Sequence, residues 1–477
     1  MYFDKIGTAD RGEMGCRLIT ACNDLKIRTL TFYTKPEEKA LHVRMADEAV
    51  EVSSYAAGRE IIELAKLHGA QAVHPGYGVL SEDPLFAQLC IEAGLAFIGP
   101  TPHVMHVLGD KIQAREAAKK AKVPILPGTE NLAYEQESTI LAAARRIGFP
   151  IMVKAAGGGG GKAITDVEDE EELLASVRKT RDASEYAFGR PDLYLERRIR
   201  GAWHIEVQVI CDQHGNCFHA LERDCSLQRR RQKLIEESPA SRIKQKLRKK
   251  LCSWAVRLVR SVGYTNVGTV EFLVSSHGRA YFIEMNPRIQ VEHGVTEMRQ
   301  GIDLVKLQIA IAAGEKLVAY ANPQFNHVME VRIYPERLTQ GSFVAAPGRV
   351  TLRAFPKPED FLRIDSALLV GESIEFTADS AAPLIAKVIA GGPSRRETIR
   401  RMRTALYDFQ FEGHTNIEVM LSLLDWHVFQ NGGHTTDSLE NEAVLQERSA
   451  WAEYFIAERR LHQQNGHLAG EAVFEQE

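Results

Sequence analysis

Short apolar segments alternate with helical stretches over the first quarter of the chain, and this alternation restricts the possible fold more than any other feature. Residues 28–33, 70–73 and 97–100 have the composition of strands or strand ends, and residues 58–68 have the pattern of a helix. Strands separated by helices at this spacing typically form a parallel sheet. We therefore predict an α/β domain with a parallel sheet over residues 1–112.

The rest of the chain is richer in strand-like segments. A length of 477 residues suggests about three domains. The pattern predicts a second unit over residues 113–205, which contains a glycine run, and a third over residues 206–330, which is dominated by strand-like segments. It also predicts a strand-rich last unit over residues 331–447 and a polar, helical tail over residues 448–477. We expect a fold that is α/β overall and α+β in parts.

Charge and cysteine usage narrow the functional classes. Lys and Arg (59 residues) nearly balance Asp and Glu (63 residues), which argues against a protein whose main partner is nucleic acid. No apolar run approaches the roughly 18 residues of a membrane span, and the first residues lack the pattern of a secretory signal. The seven cysteines include no Cys-x-x-Cys pair. We expect reduced, mostly buried thiols and a cytoplasmic protein that does not interact with membranes.

A run of five glycines follows a strand-like segment in the stretch Pro150-Ile-Met-Val-Lys-Ala-Ala-Gly-Gly-Gly-Gly-Gly-Lys162. Glycine lets backbone N–H groups approach a phosphate closely because no Cβ intervenes. The stretch is not a P-loop, since that motif would need glycine at Ala156 and serine or threonine at Ala163. Two interpretations remain open: a mobile loop that covers a phosphate, and a flexible surface turn.

A second motif predicts a metal site. Two strand-like segments, at residues 270–274 and 281–286, flank a possible two-residue turn at His277-Gly278, which would place Glu271 directly opposite Glu284. Two carboxylates about 5 Å apart on one sheet face repel each other unless a cation lies between them. Mg²⁺ binds carboxylate oxygens together with substrate phosphates, and Asn286 shares the face of Glu284. A solvated hairpin with incidental acidic residues is the alternative.

Three further segments concentrate ionisable groups. These are Arg288-Ile-Gln-Val-Glu-His293, the alternating His204, Glu206 and Gln208, and residues 222–233, which include five cationic side chains. A nucleic-acid patch is one interpretation of the cationic segment, but aromatic residues are not interleaved with the charges. A pocket where several anionic groups converge fits the pattern better.

Taken in order, the motifs resemble those of the biotin carboxylase family, which is part of the ATP-grasp superfamily. The resemblance covers residues 1–440 and rests on Ala9-Asp-Arg-Gly-Glu13, His74-Pro-Gly-Tyr-Gly-Val-Leu-Ser-Glu82, Phe97-Ile-Gly-Pro100, Gly109-Asp-Lys111, Lys154 with its glycines, Glu222-Arg-Asp-Cys-Ser-Leu-Gln228 and Glu284-Met-Asn-Pro-Arg-Ile-Gln-Val-Glu-His293. It implies a pre-ATP-grasp domain over residues 1–112, an ATP-grasp domain over residues 113–330 with a mobile glycine-rich lid at about residues 130–205, and a C-terminal domain over residues 331–447. It also implies a carbon–nitrogen ligase that makes carboxyphosphate from ATP and bicarbonate and passes its CO₂ to the ureido nitrogen of biotin.

The resemblance further implies roles for individual residues. The residues expected to bind ATP are Lys111, Lys154, Gly158, Gly159, Gly160, Glu196, Arg197, His204 and Gln228, with Glu196 and Arg197 beside the adenine. Mg²⁺ or Mn²⁺ would be held by Glu271, Glu284 and Asn286. Bicarbonate would be bound by Lys233, Arg288, Gln290 and Val291. Glu292 would take the proton of bicarbonate, and Arg332 would stabilise the biotin enolate, because a weak nucleophile needs a base and nearby cations.

Several positions depart from the family pattern. Asp10 stands where the family usually has asparagine, Arg231 where it has histidine, and Ala163 and Ile164 where it has glycine and methionine. Gly294 stands where proline or threonine is common, and segment 379–387 is longer than its counterpart. Alanine at position 163 would restrict lid closure if a positive φ is needed there. The predicted catalytic residues are retained, while nucleotide affinity, lid motion and turnover are open to change.

The resemblance also predicts partners. Lys387 is the last lysine of the sequence, so no later residue can carry biotin. We therefore expect the biotin carboxyl carrier protein and the carboxyltransferase to be separate chains of a multisubunit acyl-CoA or related carboxylase, and we expect a homodimer. The final carboxyl acceptor stays open. Two other functions also stay open: an ATP-grasp ligase acting on another acceptor, and a weakly active paralogue that serves as a binding or scaffold subunit.

Overall fold

The computed structural model describes residues 2–157, 163–318, 322–376 and 383–465. Its first region is a five-stranded parallel sheet with strand order β3-β2-β1-β4-β5. The predicted parallel α/β arrangement is therefore confirmed. The elements, in chain order, are β1 (Lys5–Thr8), α1 (Gly12–Asp24), β2 (Arg28–Tyr33), α2 (Leu41–Met45), β3 (Glu48–Glu51), α3 (Gly58–Leu67), β4 (Ala72–His74), α4 (Pro84–Glu92), β5 (Ala96–Phe97) and α5 (Pro102–Gly109).

A small antiparallel sheet with strand order β7-β6-β8 follows. Its apolar face packs against two amphipathic helices, whose buried residues include Ile140, Ala144 and Val177. In this sheet Lys154 pairs with Tyr194 and Glu196 pairs with Met152, and the side chains of Lys154 and Glu196 form an ion pair across the two strands. The elements are α6 (Lys111–Lys120), α7 (Glu137–Ile147), β6 (Ile151–Ala155), β7 (Ile164–Val167), α8 (Leu173–Phe188) and β8 (Leu193–Arg197).

The central feature is an eight-stranded antiparallel sheet with strand order β13-β12-β9-β10-β11-β14-β20-β18. Its first part comprises β9 (Trp203–Cys211), β10 (Cys217–Arg229), β11 (Gln232–Ser238), α9 (Gln245–Ser261), β12 (Asn266–Val274), β13 (Ala280–Asn286), α10 (His293–Gln300), α11 (Leu304–Ala312) and β14 (His327–Ile333). Strand β14 spans residues 330 and 331, where we placed a domain boundary. The sheet is therefore continuous across that position.

The last region adds strands to this sheet and covers them with helices. Its elements are β15 (Glu336–Thr339), β16 (Ser342–Ala345), β17 (Gly348–Ala354), β18 (Leu362–Ser366), β19 (Ser373–Phe376), β20 (Ala386–Gly392), α12 (Arg395–Asp408), β21 (Gln410–Glu412), α13 (Ile417–Leu424), α14 (His427–Gln430) and α15 (Glu442–Asn465). Helix α15 packs against α13 through the buried Ala452 and Phe455. It begins before the predicted helical tail and includes residues 448–465 of it, while residues 466–477 lie outside the described residues.

The β12–β13 hairpin has the predicted acidic pair but not the predicted turn. Glu271 faces Glu284 in the ladder, as the sequence predicted. The two-residue turn at His277-Gly278 is wrong, because Val274 pairs with Ala280 and the loop holds residues 275–279. A register shift between Glu271 and Phe272 compensates for the different loop length.

The prediction that all cysteines are reduced is wrong for one pair. Cys211 and Cys217 are ladder partners where β9 and β10 meet, and a disulfide joins them across a Cα separation of 4.1 Å. A spacing of six residues does not reveal that the two cysteines are neighbours on antiparallel strands, which explains the error. The other five cysteines are free and buried, as expected. Within the described ranges, no helix is long and apolar enough to cross a membrane.

Candidate active site

A cavity of about 330 Å³ is lined by residues of the small sheet and of the eight-stranded sheet. Neighbouring strands place polar side chains at or directly behind the cavity wall at paired positions: the fully buried Glu206 of β9 faces Glu271 of β12, and Gln228 of β10 faces Lys233 of β11. The cavity is lined by most of the predicted site residues, namely Lys111, Lys154, His204, Gln228, Lys233, Glu271, Glu284, Asn286, Arg288, Gln290, Val291, Glu292 and Arg332.

Lys233 is the cation at the centre of this cavity. Its Nζ lies 2.6 Å from Glu206, 2.6 Å from Glu292 and 3.3 Å from Glu271. Burial alone would lower the pKa of Lys233, but the surrounding anions raise it well above its ordinary value. The ammonium group therefore stays charged, and it neutralises three carboxylates that would otherwise repel one another.

Glu292 is the carboxylate placed between two cations. Its Oε1 accepts from Lys233, and its Oε2 lies 2.8 Å from Arg332 Nη2. Burial would raise the pKa of Glu292, but Lys233 and Arg332 hold it well below its ordinary value. Glu292 is thus ionised at neutral pH and able to accept a proton. Arg332 Nη2 also lies 2.5 Å from Glu236, whose pKa burial raises to about 7.

The predicted metal ligands offer oxygen donors on adjacent strands. Asn286 donates to Glu271 at 2.7 Å, which places its amide beside the acidic pair. His204 Nε2 lies 2.9 Å from Glu271, and Lys111 Nζ lies 3.5 Å from Glu284. Glu271 and Glu284 face each other, and their negative charges repel. A cation bound between them would therefore be stabilised. Carboxylate and amide oxygens are the donors that Mg²⁺ and Mn²⁺ prefer, so the residues fit such an ion.

The other residues that we predicted to bind the nucleotide differ in whether they line the cavity. Lys154 and Arg115 both pair with the fully buried carboxylate of Glu196, which does not line the cavity. Arg197 points to the other face of β8, where its Nη1 donates to the carbonyl of Ile147 at 2.8 Å. Alternation along a strand explains why these two neighbours separate. Gly158, Gly159 and Gly160 lie outside the described residues.

Several residues around the cavity were not predicted as site residues. Arg223 is fully buried and donates hydrogen bonds to Glu206, Gln208 and Gln290, so it holds these three side chains in position. Arg288 is paired with Glu82 at 2.6 Å, across more than two hundred residues of sequence. The alternation of His204, Glu206 and Gln208 was the available signal for Glu206. The sequence offers no such signal for residues that reach the cavity only in the folded chain, such as Asp437 and Glu440.

Comparison with known proteins decides the family. The model "Biotin carboxylase, N-terminal domain" matches residues 2–105, "Carbamoyl-phosphate synthase L chain, ATP binding domain" matches residues 110–320, and "Biotin carboxylase C-terminal domain" matches residues 330–441. Biotin carboxylase 1 of Bacillus subtilis is 42% identical over 451 residues, which cover 92% of this chain and 99% of that protein. The chain belongs to the biotin carboxylase family. It is accordingly a ligase that uses ATP, Mg²⁺ and bicarbonate to carboxylate biotin.

Solved structures agree with this assignment. A biotin carboxylase domain dimer from the Hydrogenobacter thermophilus 2-oxoglutarate carboxylase, in complex with MgADP, ADP and bicarbonate, has a TM-score of 0.89 and 38% identity over 94% of this chain and 99% of that one. A Campylobacter jejuni biotin carboxylase in complex with β,γ-ATP has a TM-score of 0.87 and 34% identity over 92% of this chain and 98% of that one. The 2-oxoglutarate carboxylase small subunit of H. thermophilus is 41% identical, over 92% of this chain and 93% of that protein. Biotin carboxylase relatives are therefore subunits or domains of larger carboxylases.

The departures from the biotin carboxylase pattern have structural counterparts. Ala163 has a φ of 52°, in the left-handed region that favours glycine, so the expected conflict is real. Arg231 pairs with Asp166 at 3.0 Å on the cavity wall. A Cβ at Gly294 would lie 2.3 Å from Cδ1 of Ile389, so a larger residue at this position requires the Ile389 side chain to shift. Part of segment 379–387 lies outside the described residues.

Asp10 replaces the family asparagine at a fully enclosed position. Its carboxylate accepts from the backbone N–H groups of Arg11, at 2.8 Å, and Tyr77, at 2.9 Å. The Tyr77 hydroxyl donates to Glu13, whose carboxylate lies 3.2 Å from Lys387 Nζ. Lys387 in turn donates to the carbonyl of Val291 on the cavity wall, at 2.9 Å, so this buried chain of contacts ends at the site.

The substitution Asp10→Asn is expected to change how stability depends on pH. Burial raises the pKa of Asp10 from 3.8 to about 7, so the folded state keeps a proton that the unfolded state releases. The contribution of Asp10 to stability therefore falls as pH rises from about 4 to about 7 and then stays constant. The unfolding temperature of the wild type, relative to that of D10N, should drop between pH 5 and pH 8 in differential scanning fluorimetry. The exposed Asp360→Asn control should show a constant difference, and a constant difference for D10N would contradict the prediction.

Proposed function

We propose that the cavity around Lys233 is the catalytic centre for biotin carboxylation and that each polar side chain has a separate task. The observation that carries this proposal is the position of Glu292, an ionised carboxylate held between Lys233 and Arg332 at 2.6 and 2.8 Å. A base with two adjacent cations matches what bicarbonate needs, because loss of its proton creates additional negative charge.

In this proposal, Lys233 and Arg288 bind the bicarbonate anion, with Gln290 and the backbone of Val291 completing the site. Glu292 takes the proton from the bicarbonate hydroxyl as that oxygen attacks the γ-phosphorus of ATP. The bond from the γ-phosphorus to the ADP oxygen breaks, and ADP leaves, giving carboxyphosphate. The positions of Lys111, Lys154, His204 and Gln228 on the cavity wall support contacts to the nucleotide.

Arg332 would act in the second half of the reaction, the carboxylation of biotin. Its guanidinium group is buried and anchored by Glu236 and Glu292, so it offers a fixed positive charge where the biotin ureido oxygen gains negative charge. The metal would be held by Glu271, Glu284 and Asn286. When bound, Mg²⁺ neutralises charge on the ATP phosphates.

The partners and location also belong to this proposal. We propose that biotin reaches the site on a separate biotin carboxyl carrier protein, that the carboxyltransferase is another chain, and that the enzyme forms a homodimer in the cytoplasm. Relatives named biotin carboxylase that this chain covers to 98–99% of their length support the subunit organisation, and the solved dimer supports the oligomer.

Free biotin provides a direct test. ADP release by the purified chain should require both Mg-ATP and bicarbonate, and it should accelerate when free biotin is added as the acceptor. The measurement is a coupled assay for ADP with each component omitted in turn. Stimulation only by a different acceptor would replace the proposal with another ATP-grasp ligase. Nucleotide binding without bicarbonate-dependent turnover would instead support a scaffold subunit.

A further inference from the structure

A second pair of facing carboxylates lies on the side of the eight-stranded sheet that points away from the cavity. Asp224 of β10 and Glu237 of β11 are ladder partners, and they are 2% and 1% exposed. Side chains alternate along a strand. Since their neighbours Arg223 and Glu236 bond to cavity residues, Asp224 and Glu237 point to the opposite face.

An imidazole completes this second cluster. His434, in the connection after α14, is 2% exposed, and its ring packs on Phe429 with centroids 4.9 Å apart. One ligand atom from each of Asp224, Glu237 and His434 lies within 4.8 Å of the other two. The indole of Trp203 donates to the carbonyl of His434 at 3.0 Å, which fixes this part of the chain beside the strands.

Each of the three side chains keeps one atom without a hydrogen-bond partner. These atoms are Asp224 Oδ2, Glu237 Oε1 and His434 Nδ1. The other carboxylate oxygens are used: Asp224 Oδ1 accepts from Ser226, and Glu237 Oε2 accepts from Arg395 Nε at 2.6 Å and lies 3.0 Å from His327 Nε2. A buried polar atom without a partner costs about 1–3 kcal/mol, so one ligand that contacts all three atoms would remove three such costs together.

We propose that Asp224, Glu237 and His434 bind a divalent transition-metal ion of the zinc class. Two carboxylates repel each other in a buried position unless positive charge lies between them, and Arg395 forms an ion pair with Glu237 but not with Asp224. An imidazole nitrogen with carboxylate oxygens is a donor set that suits Zn²⁺, whereas Mg²⁺ prefers oxygen ligands and retains several waters. A single buried water in place of the ion is the competing explanation.

The position of the cluster gives the ion a structural role. It would join β10 and β11 to the segment that follows His434. That segment supplies Thr436, Asp437 and Glu440 to the wall of the catalytic cavity, and Thr436 N donates to the carbonyl of Ala202 at 2.9 Å. The metal would therefore hold the C-terminal part of the cavity wall against the central sheet.

Metal analysis of the full chain tests the proposal. The protein is stripped with EDTA, incubated with Zn²⁺ alone, freed of excess ion and measured by plasma mass spectrometry. The Glu206→Gln/Glu271→Gln double variant serves as the background, because two other groups converge within 4.8 Å at the cavity: His204, Glu206 and Glu271, and Glu206, Cys225 and Glu292. We expect about one zinc per chain in this background. Adding His434→Ala or Asp224→Asn should reduce zinc content about tenfold or more, whereas adding the exposed His414→Ala should not.

A second measurement on the unmodified protein avoids variants that fail to fold. Crystals of the zinc-loaded wild type should show an anomalous difference peak, at the zinc absorption edge, between the side chains of Asp224, Glu237 and His434. The unfolding temperature should also rise when Zn²⁺ is added to the stripped protein, because the ion binds only the folded state. A water peak without anomalous signal, or zinc content at background, would overturn the proposal.

Discussion

The substitution Glu292→Gln is expected to reduce bicarbonate-dependent ADP release by about 10²–10⁴-fold, the range typical of losing a general base. Glutamine is nearly isosteric with glutamate but cannot accept the bicarbonate proton. The cations on both sides of Glu292, Lys233 and Arg332, keep its pKa low, so the wild-type carboxylate is available over the neutral pH range. The rate is measured with saturating Mg-ATP and bicarbonate, and MgADP binding is measured in parallel by calorimetry.

A matched control separates chemistry from folding. Glu222 is also buried and ion-paired, to Arg248 at 2.5 Å, but it does not line the cavity. Glu222→Gln therefore introduces the same chemical change at a comparable site, and it should leave ADP release within about threefold of the wild type. Glu292→Gln should retain MgADP binding. A wild-type rate in Glu292→Gln would show that the proton goes elsewhere.

The sequence predicted the parts of this site that are local in the chain. The opposition of Glu271 and Glu284 depends on one hairpin, and the ladder has this pairing. Its predicted turn was nevertheless wrong, because a β-bulge and a longer loop reach the same pairing as a tight turn without a bulge. A register argument can thus be right about a pair of side chains while it is wrong about the loop that connects them.

Contacts between distant segments were beyond prediction from one sequence. Arg223 was noted only as one of several cations, yet it bonds to Gln208 and Gln290 from the centre of the sheet. The disulfide between Cys211 and Cys217 depends on two strands ending side by side, which the spacing does not reveal. Burial and cross-strand neighbours determine these features, and local composition contains neither.

The largest pH effect is expected for Lys233→Gln. Its ammonium group lies within 3.3 Å of three buried carboxylates, so its loss leaves Glu206, Glu271 and Glu292 facing one another with less positive charge. We expect kcat/KM for bicarbonate to fall by about 10²–10³-fold, because one fixed cation for the developing charge is gone. The pKa of Glu292 should rise, since Lys233 is the cation that lowers it most.

The sign of the pH effect follows from the role of Glu292. A general base works only when ionised. When rates are expressed per bicarbonate anion, so that protonation of the substrate is removed, the acid limb of the pH–rate profile reports the pKa of that carboxylate. Removing Lys233 raises that pKa, and the acid limb of Lys233→Gln should therefore move to higher pH than that of the wild type. Lys233→Arg keeps the positive charge but not the compact geometry around the three carboxylates, so it should lose activity with little movement of the acid limb. Equal limbs for all three proteins would mean that Lys233 only binds substrate, because a charge acting on Glu292 must shift its titration.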